Sequence, residues 1–311
     1  MTVRHVEMAA LALAALLVAA PAHAGDPPPA KELFGHASEP ADMKPQAIGG
    51  YTRGCLAGAV ELPTDGPFHQ VMRTSRNRNW GHPSLNDFLE KLAQKAHQVA
   101  GWPGLLIGDL AQPRGGPMLT GHASHQIGLD ADIWLMPAPP RRYTDEEREE
   151  VSAVSVIGAK AEVPEGNWKI DPTLWSAGQT EVIKAAAGDP RVARIFVHPA
   201  IKRALCKSAG KDRAWLRKVR SWYGHHYHFH VRLSCPPGST GCTNQAAPPP
   251  GDGCDASLDW WFTEAPYRKP DKPVKPKPPL RLADLPKACK SVYEAKPTKI
   301  VPASAAAAPG Q

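Results

Sequence analysis

The chain has 311 residues, 42% of them hydrophobic, which allows one large domain or two small ones with a real core. Its formal net charge of +7 is modest, and the basic residues between Arg268 and Lys299 alternate with prolines instead of lining a helix or a base-stacking array. That arrangement sets nucleic-acid binding aside, while the positive charge is compatible with anionic envelope polymers. The cysteines number six, an even count that suits an oxidising compartment.

The first residues read as an export signal. Arg4 precedes an Ala, Leu and Val run from Met8 to Ala20, and Ala22-His23-Ala24 matches the small-x-small cleavage rule. Residues 1–24 are therefore expected to be a signal peptide, with the mature chain starting at Gly25; the run is too short and too Ala-rich for a comfortable membrane span. No later segment could span a membrane. Gly25 to Gly50, punctuated by Pro and Gly, reads as an extended lead-in. Ser84 to Gly101 reads as a helix, with an apolar stripe of Leu85, Phe88, Leu89, Leu92, Ala96 and Val99, a cap at Ser84 paired with Asp87, and a stop at Gly101. Gly104 to Leu110 is a short apolar strand, and Arg114-Gly115-Gly116 a loop.

Leu129 to Met136, LDADIWLM, reads as a second strand. Thr144 to Val151 is a helix capped by Thr144 and Glu147, and Gln179 to Gly188 another, broken by Asp189-Pro190. Arg194 to His198 is a strand, Pro199 to Ala209 a helix with Pro in its first turn, and Asp212 to Val219 a short helix. Tyr227 to Leu233, YHFHVRL, is the last of four core strands. Cys235 and Cys242 flank the turn-rich PPGSTG, which favours a local disulfide, Cys235–Cys242; sequence alone leaves the other pairings open. Residues 25–290 are read as a single domain that includes the Pro/Lys-rich stretch, and 291–311 as a disordered tail.

The chemistry concentrates in Gly121 to Trp134, GHASHQIGLDADIW, which carries His122, His125, Asp130 and Asp132, with six residues between His125 and Asp132. A second cluster, GHHYHFH, runs from Gly224 to His230. On strands, Asp130 and Asp132 share a face, and so do His228 and His230. Together the clusters offer imidazole nitrogens and a carboxylate to one divalent ion, leaving room for a water, as a catalytic zinc requires. A closed structural site would usually bring cysteine ligands. His5, His23, His69, His97 and His198 stand outside these clusters and read as structural. HExxH, GxSxG and a phosphate loop are missing; Ser208 to Lys211 matches SxxK, but no KTG accompanies it.

With these strings the chain resembles the penicillin-insensitive murein endopeptidases of Gram-negative bacteria. They belong to a wider metallopeptidase group that includes lysostaphin, D-Ala-D-Ala carboxypeptidases and hedgehog domains, whose pattern is a His, six residues, an Asp and a later His-x-His. RNWGHPSL at Arg78 to Leu85, LIGDLAQPRGG at Leu106 to Gly116 and RIFVHPAIKRALC at Arg194 to Cys206 extend the likeness over most of Cys55 to Cys254 and, through the cysteines, to Cys289. The resemblance implies an α+β fold, a small antiparallel sheet flanked by helices and stapled by disulfides, which a count of about four core strands fits. It implies the pairings Cys55–Cys289 and Cys206–Cys254. It places His125, Asp132 and His230 as zinc ligands, with His122 either a further ligand or a group supporting them; His228 is then the general base, with His225 assisting it or stabilising the oxyanion.

The implied activity is zinc-dependent, penicillin-insensitive hydrolysis of D-alanyl–meso-diaminopimelyl cross-links of peptidoglycan in the periplasm. One family member carries a second, interface metal held by an Asp and a His. The matching segment here, GNWKIDPTLW at Gly166 to Trp175, has no histidine, so one Zn2+ per chain is expected and a homodimer is left open. Two other readings use the same residues: a D,D-carboxypeptidase or dipeptidase trimming stem peptides, and a non-enzymatic wall-binding protein with a structural zinc. His225 and His228 argue against the last, since a closed site has no need of extra titratable groups.

Overall fold

The computed structural model describes residues 27–157, 168–270, 272 and 275–298. The expected signal peptide and positions 299–311 of the expected tail lie outside these residues. In chain order the elements are α1 (Ala30–Gly35), β1 (Gln46–Gly50), β2 (Arg53–Ala57), β3 (Val60–Glu61), β4 (Asp65–Gly66), β5 (His69–Val71), β6 (Trp80–Gly81), α2 (Pro83–Ala100) and β7 (Leu105–Ile107). There follow β8 (Asp130–Pro137), α3 (Asp145–Glu150), α4 (Ala177–Gly188), β9 (Val192–Val197), α5 (Pro199–Ser208), β10 (Val219–Ser221), β11 (His228–Leu233), α6 (Ala256–Asp259) and α7 (Ala288–Glu294).

The fold is α+β, as expected, but its main sheet is larger than four strands. Among the described residues it has seven, in the order β10-β9-β11-β8-β7-β5-β4. The four predicted strands, β7, β8, β9 and β11, form its antiparallel centre. The additional strands are two or three residues long, and β10 and β5 join in parallel. Segments that short carry no readable alternation, so their strand character comes from their neighbours. The predicted helix at Asp212 to Val219 is a tighter 3-10 turn, Ala214–Lys218.

Period-two alternation divides the central strands into two faces. Ala131, Ile133 and Leu135 of β8 and Phe229, Val231 and Leu233 of β11 enter one core with Leu85, Phe88, Leu89 and Leu92 of α2 and Val182 and Ile183 of α4. Asp130, Asp132, His228, His230 and Arg232 are buried as well but belong to the other set. One face of the sheet is thus spent on hydrophobic burial, and the other is free for polar chemistry.

Local caps follow the sequence with one change. Thr144 and Glu147 form the predicted capping box of α3. For α2 the cap is His82, not Ser84: Ser84 N donates to His82 Nδ1 at 3.1 Å, and Asp87 pairs with Lys91 and Arg191 instead. Pro83 explains the shift, because proline suits the first helical position and so fixes the cap at the residue before it, His82, two positions ahead of Ser84. His198-Pro199 repeats the device on α5, where Ala200 N donates to His198 Nδ1 at 3.1 Å. Burial pushes His198 down to about 3, which keeps the ring neutral and able to accept that bond.

Three disulfides close as expected: Cys55–Cys289, Cys206–Cys254 and Cys235–Cys242. The first joins β2 to α7 inside a second small core with Phe34, Ile48, Leu285 and Val292. The ordered chain runs past residue 290. Residues 291–294 complete α7, Ala41 bridges Pro297, and Thr298 N donates to Pro40 O at 3.0 Å. Among the described residues no helix is long and apolar enough to cross a membrane.

A cross-link acts mainly on the unfolded chain, and more so when it closes a longer loop. The Cys55–Cys289 clip spans 234 residues of sequence and Cys235–Cys242 only 7. Replacing Cys55 and Cys289 by serine should therefore cost about 2–5 kcal/mol in denaturant unfolding, and replacing Cys235 and Cys242 clearly less. Equal losses from both pairs would count against loop closure as the source.

Candidate functional site

The site is built by strand register. β11 pairs β8 so that His230 lies opposite Asp132, Arg232 opposite Asp130 and His228 opposite Trp134. The segment before β8 then folds over the same face. Gly128 makes this possible: its φ is +68°, and a Cβ there would lie 2.5 Å from Leu56 Cδ2 and 2.9 Å from His82 N. His125 adopts a left-handed φ of 68°, which is unusual for a residue with a side chain and typical of sites held by their surroundings. It is held by its N–H, which donates to Asp130 Oδ2 at 3.0 Å, and by its Nδ1, 3.0 Å from Leu110 O.

Asp132 is the centre. Its Oδ1 lies 3.2 Å from His230 Nδ1, 3.5 Å from His228 Nε2 and 3.6 Å from His125 Nε2, while Oδ2 is 3.5 Å from His122 Nε2. His122, His125 and Asp132 each bring a ligand atom to within 4.8 Å of the others, and these residues form a candidate metal-binding group. Two atoms within it, Asp132 Oδ1 and His125 Nε2, are buried without a hydrogen-bond partner among the described residues. Leaving such atoms unsatisfied is costly, and a cation between them would satisfy both, so the donor set fits a divalent metal.

Supporting groups orient the imidazoles. His230 Nε2 faces Asp130 Oδ1 at 3.0 Å, which turns Nδ1 toward Asp132. Asp130 is itself gripped by Arg232, whose Nε donates to Oδ1 at 2.7 Å and Nη2 to Oδ2 at 3.2 Å. The Arg232 guanidinium also stacks 4.2 Å from the Tyr51 ring. His122 shares its Nε2 between Asp132 and Asp109, 3.1 Å away. Asp109 also accepts from Arg78 at 2.9 Å and Arg76 at 3.3 Å.

These contacts set the charges. Burial opposes the Asp109 carboxylate, but His122 and Arg78 outweigh it and hold it down to about 2. Burial opposes charge on His230 too, yet without a metal Asp130 and Asp132 push it up to about 9, and a cation at Asp132 would displace the Nδ1 proton. Burial lowers His228 to about 4 against the pull of Asp132, and lowers His225 to about 3 with help from the neighbouring His228 and His230. Both rings are therefore neutral near pH 7.

The sequence-predicted residues thus come together: His122, His125, His228 and His230 each place a ring nitrogen within 3.6 Å of the Asp132 carboxylate, although the candidate metal-binding group contains His122, His125 and Asp132 and not His230. His225 stands at the edge of this cluster, its ring centroid 4.8 Å from that of His228 and its Nδ1 2.6 Å from Tyr223 O. His226 turns toward His198 instead. Sequence reasoning missed Asp109, Arg76, Arg78 and Arg232. An acidic residue at the end of an apolar strand, in LIGDLAQ, and an arginine sharing the period-two face of His228 and His230 were the signals available.

A cleft crosses the centre. One arm is lined by Arg73, Arg76, Asp109, Trp134, Tyr227 and His228, and the other by Arg194, Phe196, Trp222, His225 and His230, with His122 shared between them.

A sequence model of the penicillin-insensitive murein endopeptidases matches residues 47–294. The chain belongs to that family. Its relatives named penicillin-insensitive murein endopeptidase include one from Haemophilus influenzae, 48% identical over 221 residues, covering 71% of this chain and 74% of the relative. One from Klebsiella pneumoniae subsp. pneumoniae is 43% identical over 284 residues, covering 91% and 97%. A third, from Yersinia enterocolitica, is 44% identical over 257 residues, covering 83% and 88%. These alignments run well beyond the histidine clusters, so family membership rests on the whole domain.

Asp130 deserves a different expectation from the one its spacing suggests. Lacking the six-residue offset from His125, it reads from sequence as the more tolerant aspartate. The structure makes it the fully buried partner of Arg232, His230 and the His125 N–H. Removing one member of such a buried pair strands the other charge and typically costs about 3–5 kcal/mol. Asp130→Ala should show a loss of that size in unfolding of the metal-free protein. A loss below about 1 kcal/mol would mean that Arg232 finds another partner.

Proposed function

We propose that the chain is a zinc-dependent murein endopeptidase that hydrolyses D-alanyl–meso-diaminopimelyl cross-links of peptidoglycan and works in the periplasm after export. The observation that carries this reading is the buried, unsatisfied Asp132 Oδ1 and His125 Nε2 pair ringed by further imidazoles, in a chain of this family. His125, Asp132 and His230 would hold the metal, with His122 as the fourth protein group. Asp130 accepting from His230 Nε2 fixes the tautomer that presents Nδ1, the usual role of a carboxylate behind a ligating histidine. When bound, zinc polarises a scissile carbonyl and lowers the pKa of a water toward about 7.

The remaining roles belong to the chain itself. His228, neutral and 3.5 Å from Asp132, is placed to take a proton from the attacking water and to return it to the leaving amine. His225, next to His228 at the cleft wall, is placed to assist it: the His225 Nδ1–H is taken by Tyr223 O, which leaves Nε2 of the neutral ring as a proton acceptor. Tyr51, Phe196 and Arg232 wall the site behind His230 and keep Asp130 from water. Separate pockets that share His122 flank the centre, one on its His228 side and one on its His230 side, and room on both sides favours a cross-link over a free stem end as substrate.

Digestion of purified cross-linked muropeptide dimers, followed by mass spectrometry, tests the reading. Dimers should become monomers, the reaction should stop with a chelator and resume with zinc, and benzylpenicillin should leave it unchanged. Loss of single alanines from intact dimers would instead favour the carboxypeptidase. His228→Ala should keep its zinc while turnover falls roughly 10²–10⁴-fold, the range for losing general acid–base help. His125→Ala should lose zinc and activity together. Zinc loss on His228→Ala with retention on His230→Ala would exchange the roles of those two histidines.

A further inference from the structure

The arm of the cleft lined by Arg73 and Arg76 carries positive charge that the proposed chemistry leaves unused. Of the acidic groups in that wall, Asp132 is committed to the histidines and Asp109 is paired most closely with Arg78, at 2.9 Å, and His122, at 3.1 Å. Arg76 reaches both Asp109 oxygens through Nη1 alone, at 3.3 Å each, with its side chain 48% exposed. Its guanidinium is therefore surplus to the neutralisation of Asp109 and turned to the cleft.

The loop that presents these arginines is held rigidly. Arg73 and Asn77 bracket the 3-10 turn Thr74–Arg76, and both are left-handed, at φ 61° and 52°. Non-glycine residues persist in that region only when their surroundings hold them. Here Glu149 of α3 accepts from Ser75 N at 2.9 Å, Ser75 Oγ at 2.8 Å and Thr74 Oγ1 at 3.2 Å. Arg73 N donates to Arg148 O at 3.1 Å, and Arg148 is buried in a pair with Asp65. Two strained residues and a carboxylate clamp are a large investment for a surface turn, and their effect is to fix two guanidinium groups beside the His228 side of the catalytic centre.

Guanidinium forks of this kind suit a carboxylate. In the cross-link proposed above, the diaminopimelyl residue contributes the amine of the scissile amide and carries a free carboxylate on the same carbon. We propose that Arg76, assisted by Arg73, forms an anion subsite that binds this carboxylate and positions the scissile amide beside His228. The inference rests on the cross-link reading of the site and adds a specificity determinant to it: the enzyme should distinguish a free carboxylate from a carboxamide at that position.

The test compares the full-length exported protein with Arg76→Ala, Arg76→Lys and Arg73→Ala on purified muropeptide dimers bearing either free or amidated diaminopimelate. For the wild type, amidation should lower kcat/KM roughly 10–100-fold, mainly through KM, as expected for loss of a charge-assisted contact. Arg76→Ala should lose a similar factor on the free acid and should treat acid and amide alike to within about threefold. Arg76→Lys should restore part of the preference, and Arg73→Ala should weaken it. A wild type that cleaves acid and amide equally overturns the subsite alone, as does an Arg76→Ala variant that keeps the full preference. A wild type that cleaves neither overturns the reading of the site and the subsite with it.

Discussion

The pairing of β8 with β11 is the constraint on which everything else depends. A single register sets Asp132 against His230 and Asp130 against Arg232. A slip of one residue would send both acids into the apolar core and bring Ala131 and Ile133 out to the cleft. The hydrophobic face therefore does more than stabilise. By burying Ala131, Ile133, Leu135, Phe229, Val231 and Leu233 against α2 and α4, it selects the one register in which the polar face assembles a site.

That polar face is expensive by itself. Asp130 and Asp132 lie almost wholly out of water, together with His125, His230 and Arg232. The arrangement is tolerable because its charges are divided between two layers. Asp130 is satisfied inside the protein by Arg232, His230 and the His125 N–H, and it holds His125 and His230 in place. Asp132 and His125 keep buried atoms unpaired, facing each other across the gap. Buried polar atoms are rarely left so, and when they are, the usual reason is an ion or a reaction.

How much of this could be read from the chain depended on range. His125, Asp132, His228 and His230 were legible because ligand spacing and period-two facing are local properties. The apolar strands and the α2 stripe were legible for the same reason. The disulfides Cys55–Cys289 and Cys206–Cys254 came from likeness to a family, since six cysteines do not state their partners. Asp109 escaped notice because it acts through contacts with Arg76, Arg78 and His122, which meet only after folding. The His82 cap was hidden by a better-known capping residue two positions later, and β4, β5 and β10 were too short to carry a pattern. Residues 291–298 read as tail because their order depends on partners near Pro40 and Ala41, at the other end of the domain.

The claim that Asp132 and its histidines are held apart for a metal is tested most directly by titrating zinc into the metal-free, disulfide-intact protein while following thermal unfolding and bound metal. A ligand that binds only the folded state stabilises it by about 4 kcal/mol at a thousand times its Kd. The account predicts one zinc per chain and a large rise in Tm, both lost in Asp132→Ala and His125→Ala. A folded protein that takes up no zinc, or whose Tm does not move with saturating zinc, would contradict it.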